Sequence, residues 1–368
     1  MNTALEVARL FALEGEPVDA KPYGCGHIND TYCVCCRREG KPQRRYILQR
    51  VNRHVFKDVP ALMDNMIHVT AFLREAVIKS GGDPDRECLT LIPTKTGDFY
   101  YTAPDGHYWR AFIFIENAIT FQTAEKPEHF YYAGCAFGRF QKLLAEYPSE
   151  TLNETIPNFH NTASRYRDFE RAVEENASGR AGDCADEIAF IRARQKDTSV
   201  LVDMLAAGEL PLRVTHNDTK LNNVMLDDVT GKPVCVIDLD TVMPGLSLYD
   251  FGDSIRFGSN PAAEDETDLS KVYCDLDLFE EYTKGFLGEC GDMLTENEIR
   301  MLPFAAKMMT LECGMRFLAD HIAGDTYFKI HRDGHNLDRC RTQLKLVADM
   351  EQKMDQMSAI VTKYAEKK

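Results

Sequence analysis

The nine residues from Thr215 to Asn223, THNDTKLNN, and a carboxylate further along, Asp238, hold most of the chemistry this sequence offers. A carboxylate at 218 followed five positions later by the amide of Asn223 can leave one loop with both groups on the same side. Asp238 ends the apolar run VCVI beyond a turn and brings in a second acid. Oxygen-only ligands with open positions suit Mg2+, which keeps several waters and holds phosphates through few protein groups. The other carboxylate is then placed to take a proton from an attacking hydroxyl. Together these groups imply phosphoryl transfer.

Elements must bring these groups together. PLRVTHND and NVMLDDVTGKPVCVIDLD read as strands, the second folded at VTGK into a hairpin. They interrupt a series of helices that begins near residue 129. HFYYAGCAFGRFQKLLAEY and DEIAFIRARQKDTSVLVDMLAAG are two of these helices. Another opens with the capping box Thr295-x-x-Glu298, and Pro303 is expected to kink or restart it. The last runs from Leu337 to about Tyr364, with Cys340, Leu344, Val347, Met350, Met354 and Met357 on one face.

The first 115 residues differ. An opening amphipathic helix carrying Leu5, Ala8, Leu10 and Phe11 is expected to stop at Gly15. Short β-rich segments parted by Gly and Pro follow, around one helix in DVPALMDNMIHVTAFLREAVIK, with Pro60 in its first turn. The class is α+β in two lobes. Residues 1–115 form a β-rich lobe with a small antiparallel sheet and one helix; residues 116–368 form a larger helical lobe that contains the hairpin.

The net charge is −15, where a nucleic-acid binder or a binder of anionic membranes is more often basic. No run approaches 18 apolar residues, and the first residues do not read as a leader. Twelve scattered cysteines without zinc spacing read as thiols of a cytoplasmic protein, and TYCVCC alternates like a strand. Neither nucleic acid nor membrane is an expected partner, and the oligomeric state stays open.

YGCGHINDTY supplies Gly24, Gly26 and Asn29, with His27 between. Asn29 stands where a third glycine of G-x-G-x-x-G would be, and a strand rather than a helix follows. That favours a strand–turn–strand cover over nucleotide phosphates above a Rossmann turn.

HNDTKLNN resembles the kinase catalytic loop H-R-D-L-K-x-x-N at His216, Asp218, Lys220 and Asn223. The resemblance implies a protein-kinase-like fold using ATP with Mg2+. It makes Asp218 the catalytic base, puts Lys220 near the transferred phosphate, and makes Asn223 and Asp238 the metal ligands. His216 would orient the loop, and Asp240 would assist the metal or serve as a turn acid. Gly24, Gly26, His27, Asn29 and Gln49 would line the nucleotide. Gln49, in RRYILQRVN, stands where kinases carry a strand lysine, which leaves Arg44, Arg45, Arg50 or Lys220 to supply the charge. Glu75 would be the lysine's helical partner or a surface residue. Trp109 lies near the expected hinge, where adenine should bind.

There is no A-P-E segment, and the layout is closer to the aminoglycoside phosphotransferase/choline-kinase-like branch, which acts on small molecules. Within it, RYILQ, LRVTHNDTKLNN, IDLDTVMPG, DFGDS, ECGMRFLAD and the segment from His335 to Lys353 resemble the N-acetylhexosamine 1-kinases over nearly the whole chain. That resemblance implies transfer to the anomeric hydroxyl of GlcNAc or GalNAc. The sugar would lie among Asp218, Arg316, Tyr327, Phe257 and His27. Arg316, in an apolar helix, either binds the sugar or pairs with Glu312 or Asp320. Kinases of homoserine, choline or an aminoglycoside are the alternatives. A non-catalytic binding protein is disfavoured because Asp218, Asn223 and Asp238 are all present. The D-F-G tripeptide at 250–252 comes too late after Asn223 to hold metal; Asp250 is expected to cap a helix and brace the catalytic loop.

Overall fold

The computed structural model describes residues 3–24, 28–53 and 55–366. Gly26 and His27 lie outside them. In chain order the first elements are α1 (Thr3–Ala8), β1 (Glu16–Pro22), β2 (Asp30–Arg38), β3 (Lys41–Val51), α2 (Val59–Lys79), α3 (Pro84–Glu87), β4 (Leu91–Ile92), β5 (Tyr101–Thr102), β6 (Tyr108–Ile113) and β7 (Ala118–Ile119). Then come α4 (Pro127–Leu143), α5 (Thr162–Glu175), α6 (Ala185–Arg192), α7 (Val200–Ala206), β8 (Arg213–Thr215), β9 (Val224–Asp227), β10 (Pro233–Val236) and β11 (Met243–Gly245). Four helices end the chain: α8 (Ser247–Gly258), α9 (Leu276–Cys290), α10 (Glu296–Ala323) and α11 (His335–Ala365).

Two compact units result. One comprises Met1–Ile119, Glu146–Ile156 and Met225–Met243; the other comprises Thr120–Ala145, Pro157–Val224 and Pro244–Lys368. In the first unit an antiparallel sheet runs β1-β2-β3-β6-β4, with β5 also on β6. One sheet face covers a core of Val34, Tyr46, Leu48 and Trp109, closed by Ala4, Val7 and Phe11. Trp109 is therefore a core residue against Tyr32, 6.0 Å away, and not an adenine platform. The cysteines of TYCVCC lie on β2, as their alternation suggested.

α1 is shorter than the sequence suggested. Beyond Ala8 the backbone pairs with residues 93–95 instead: Ala12 N donates to Pro93 O (2.8 Å) and Lys95 N to Leu10 O (2.8 Å). Pro17 falls within β1, where the edge position leaves a missing N–H harmless. α2 matches its periodicity. Asp58 caps it by accepting from Ala61 N, and Pro60 sits in the first turn. Glu75 is exposed on it, a surface residue.

In the second unit α4 and α9 pack closely because Gly134 and Gly285 carry no Cβ. A methyl at either would collide with a carbonyl of the opposite helix, Tyr282 O or Tyr131 O. α10 runs unbroken through Pro303, so the expected restart does not occur. Packing of this helix between α8 and α11 outweighs the one lost backbone bond. The segment 185–206 is not one helix. It breaks at a 3-10 turn over Gln195–Ser199, where the Thr198 hydroxyl takes the Gln195 carbonyl (2.7 Å). Among the described residues no helix is long and apolar enough to cross a membrane.

Candidate active site

The loop after β8 is fixed from below by α8. Asp250 is fully buried. Its Oδ1 accepts from Asn217 N (2.8 Å), and its Oδ2 from His216 N (2.9 Å) and Gln141 Nε2 (2.5 Å). Burial pushes the Asp250 carboxyl up from its ordinary value, while His216 and the two loop amides pull it down. Asp250 thus braces the loop, but it sits within the first turn of α8 and is not its cap. The rest of D-F-G is packing. Phe251 meets Phe279, Tyr282 and Phe286, and a Cβ on Gly252 would strike Ala305 of α10. Asp250→Asn is expected to cost about 1–3 kcal/mol, because one loop amide loses its acceptor and Gln141 meets a donor. Urea unfolding measures this, and turnover should fall with it.

Asn217 takes φ +64°, a left-handed conformation that asparagine tolerates. The turn is held by Thr215 Oγ1, which donates to Asn217 Oδ1 (3.0 Å). His216 is buried between the edges of Phe137 and Phe140, and its Nδ1 accepts from Asp218 N (3.3 Å). That is an orienting role. The Asp218 carboxylate is about a quarter exposed and lies 2.8 Å from Lys220 Nζ. Asn223 Nδ2 donates to Asp218 O (2.8 Å) and Oδ2 (3.2 Å). Asp218, Lys220 and Asn223 are therefore brought together.

Behind them Thr219 N donates to Asp253 Oδ2 (3.0 Å), and Asp253 pairs with Arg256 (2.8 Å). Burial alone would pull Lys220 down, but Asp218 and then Asp253 hold its ammonium protonated above its usual range. For Asp253 burial works upward, and Arg256 and Lys220 outweigh it, keeping the carboxyl below its usual range.

α10 reaches the same loop. Glu312 Oε1 meets His160 Nδ1 (2.8 Å), and His160 Nε2 meets the Asn217 carbonyl (3.2 Å). Both partners of the His160 ring are acceptors. Burial would raise Glu312, yet His160, with Arg316 and Arg165 beyond it, keeps it below the usual carboxylate range. Arg316 stands 4.0 Å from Glu312, and its guanidinium faces the rings of Phe159 (5.3 Å), Phe328 (5.5 Å) and Tyr327 (5.9 Å). Asp320 is used otherwise. It accepts the backbone amides of Thr326, Tyr327 and Phe328 and so shapes the turn carrying Tyr327, which is 67% exposed. Phe257 is half-buried at the end of α8.

In the first unit Gly24 takes φ +83°, open space at its Cβ position, and begins the glycine loop. Asn29 closes that loop. Its Nδ2 donates to Asp240 Oδ2 (2.6 Å), and its Oδ1 accepts from Asn52 N (2.9 Å). Gln49 donates to Thr31 Oγ1 (3.1 Å) and accepts twice from Arg110, from Nε (3.0 Å) and Nη2 (2.8 Å). Arg110 Nη1 ion-pairs with Asp240 Oδ1 (2.6 Å). Asp238 is exposed on a left-handed turn, φ +60° and ψ +60°.

The three arginines suggested by sequence serve elsewhere. Arg44 pairs with Glu14 and Arg50 with Asp30, while Arg45 pairs with Glu116 and covers Phe114. Arg110 is the residue that sequence reasoning missed. A charge within the apolar strand HYWRAFIFI was the available signal, since such a charge must find a buried partner.

A β-rich unit with a glycine loop and a helical unit carrying a H-x-D-x-K-x-x-N loop make a protein-kinase-like fold. The model of the phosphotransferase enzyme family matches residues 19–282, and the chain belongs to that family. Solved structures with this fold include a microcompartment-associated aminopropanol kinase, 16% identical, covering 97% of this chain and 98% of that one at a TM-score of 0.62. An amicoumacin kinase in complex with AMP-PNP, Ca2+ and Ami is 12% identical and covers 95% and 93% at 0.60. A spectinomycin phosphotransferase in complex with ADP and spectinomycin is 12% identical and covers 96% and 98% at 0.56.

Proposed function

We propose that this phosphotransferase is an ATP- and Mg2+-dependent kinase that transfers the γ-phosphoryl group to the 1-hydroxyl of an N-acetylhexosamine, GlcNAc or GalNAc, in the cytoplasm. The observation that carries the chemistry is the Asp218 carboxylate, held by Lys220 and Asn223 on a braced turn. The sugar assignment rests on the segments that resemble N-acetylhexosamine 1-kinases. Arg316, Tyr327 and Phe257 of the second unit, with His27 of the glycine loop, are the proposed sugar contacts. An exposed tyrosine ring and a guanidinium are groups that sugars use for stacking and hydrogen bonding.

Asp218 takes the proton of the acceptor hydroxyl as that oxygen bonds to the γ-phosphorus. The bond from phosphorus to the bridging oxygen breaks, and its electron pair leaves on ADP. Lys220 pairs with the Asp218 carboxylate beforehand and offsets charge on the phosphoryl oxygens. Gly24, Gly26, His27, Asn29 and Gln49 are assigned to the nucleotide side. Asn223 and Asp238 are assigned to the metal, and their donors fit one. Asn223 spends its Nδ2 on Asp218 and so offers an amide oxygen, and Asp238 presents an exposed carboxylate, both hard oxygen ligands. When bound there, Mg2+ would supply charge neutralisation for the phosphates.

Choline is a poorer fit at this site. The aromatic faces of Phe159, Tyr327 and Phe328 already surround the Arg316 guanidinium, where a quaternary ammonium would need them. An ATP-dependent turnover screen over GlcNAc, GalNAc, their 1-O-methyl glycosides, choline and homoserine tests the reading. The free sugars should react and the glycosides should not. Equal rates for both would remove the anomeric assignment.

A further inference from the structure

Resting on the kinase reading of this site, we infer that Arg110 replaces the missing strand lysine, and that it works as a positioning residue through Asp240 rather than as a phosphate ligand. The charge has moved one strand over. Gln49 on β3 and Arg110 on β6 are direct partners in the antiparallel register, so their side chains emerge beside each other. The sheet thus presents a cation at the expected place, but from the neighbouring strand.

The geometry excludes a simple phosphate contact. Arg110 is 1% exposed, and its fork is engaged on every side. Nε and Nη2 hold Gln49, Nη1 holds Asp240, and the Sδ atoms of Met63 and Met66 close in at 3.9 and 3.6 Å. Helix α2 therefore presents two methionines where a lysine would meet a helical glutamate. The carboxylate comes instead from Asp240, itself 3% exposed.

Asp240 lies two residues beyond Asp238, and its second oxygen takes Asn29 of the glycine loop. One buried carboxylate thus joins the sheet, the glycine loop and the turn that carries the proposed metal ligand. That turn needs holding, because a left-handed backbone at a non-glycine residue persists only when its surroundings over-determine it. The far side of the turn is pinned as well, by Asn65 Nδ2 on Val242 O (3.0 Å). A buried ion pair is weak evidence for stability, since an apolar pair of similar volume often serves as well. Its place here, two residues from Asp238 and one hydrogen bond from the glycine loop, points to alignment of the two nucleotide-binding segments.

Two readouts test this, one of them independent of nucleotide. Hydrogen exchange of the nucleotide-free protein reports whether segments 28–31 and 238–242 are held, and calorimetric titration with ATP and Mg2+ reports nucleotide affinity. Arg110→Met is expected to lower protection in those two segments selectively and to weaken ATP binding by about 10- to 100-fold, the usual effect of losing an outer partner of a metal site. Gln49→Lys/Arg110→Met returns the cation to β3 and should recover most of both losses. If Arg110→Met does not fold, the isosteric Asp240→Asn reads the same two quantities. The inference is overturned if protection falls evenly over residues 16–113, if ATP affinity stays within about twofold of the unmodified protein, or if the charge-moving variant recovers neither loss. A failed sugar assignment would show separately, as absent turnover with GlcNAc and GalNAc while the exchange pattern stands.

Discussion

Asp218→Asn is expected to lower kcat by about 10²- to 10⁴-fold, the range for losing a general base, with nucleotide affinity retained. Asparagine keeps the shape of the side chain. The turn on which it sits is fixed by groups the substitution does not touch: Asp250 on the amides of His216 and Asn217, and Asn223 Nδ2 on the 218 carbonyl. The amide cannot take a proton from the acceptor hydroxyl, and Lys220 loses its nearest counter-charge at 2.8 Å. Coupled ADP release measures turnover, and calorimetric titration with ATP measures binding. Activity within tenfold of the unmodified protein would show that another group takes the proton (a tenfold change is about 1.4 kcal/mol).

Glu298→Ala is expected to destabilise the protein by about 3–5 kcal/mol, the cost of stranding a buried charge. Glu298 serves three partners. Its Oε1 and Oε2 accept from Arg213 Nε (2.6 Å) and Nη2 (2.8 Å), Ser247 Oγ donates to Oε1 (2.7 Å), and Thr295 N donates to Oε2 (2.8 Å) to complete the capping box of α10. The side chain is 2% exposed, so solvent does little to screen the loss. Arg213 begins the strand that leads into the loop carrying Asp218, the proposed base, so turnover should fall as well.

Burial would raise the Glu298 carboxyl, but Arg213 and the Thr295 amide hold it below its ordinary value of 4.5. A carboxyl that titrates lower in the folded state stabilises fully above that ordinary value. The contribution fades as pH falls through the lower, folded value. Urea unfolding should therefore show a large gap between the two proteins at pH 7 and a shrinking gap below 4.5. A gap independent of pH would contradict the assignment.

Much of this structure is written in short spans of sequence. The chain order of β-rich and helical parts, the cap and first-turn proline of α2, the capping box of α10 and the VTGK hairpin depend on neighbours a few residues away. The H-x-D-x-K-x-x-N loop is equally local, and Asp218, Lys220 and Asn223 do converge. Pairings between distant segments were harder to see. Arg110 meets Gln49 across 61 positions through the β3–β6 register, and His160 meets Glu312 across 152. Local propensity also misled. The run from Leu10 to Ala12 pairs with residues 93–95 instead of extending α1, and Pro303 lies inside a helix whose packing carries it. D-F-G shows the same limit: its three letters match a metal motif, whereas its side chains brace a loop, fill a core and allow two helices to approach.

The central claim is that phosphate goes to the anomeric oxygen of an N-acetylhexosamine. The most direct measurement is the phosphorus NMR spectrum of the product formed from ATP, Mg2+ and GlcNAc. A phosphorus signal coupled to the sugar H1, with loss of the reducing end, is the predicted result. A phosphorus coupled to the H6 protons with the reducing end intact, or ATP that stays whole in the presence of either sugar, would contradict it.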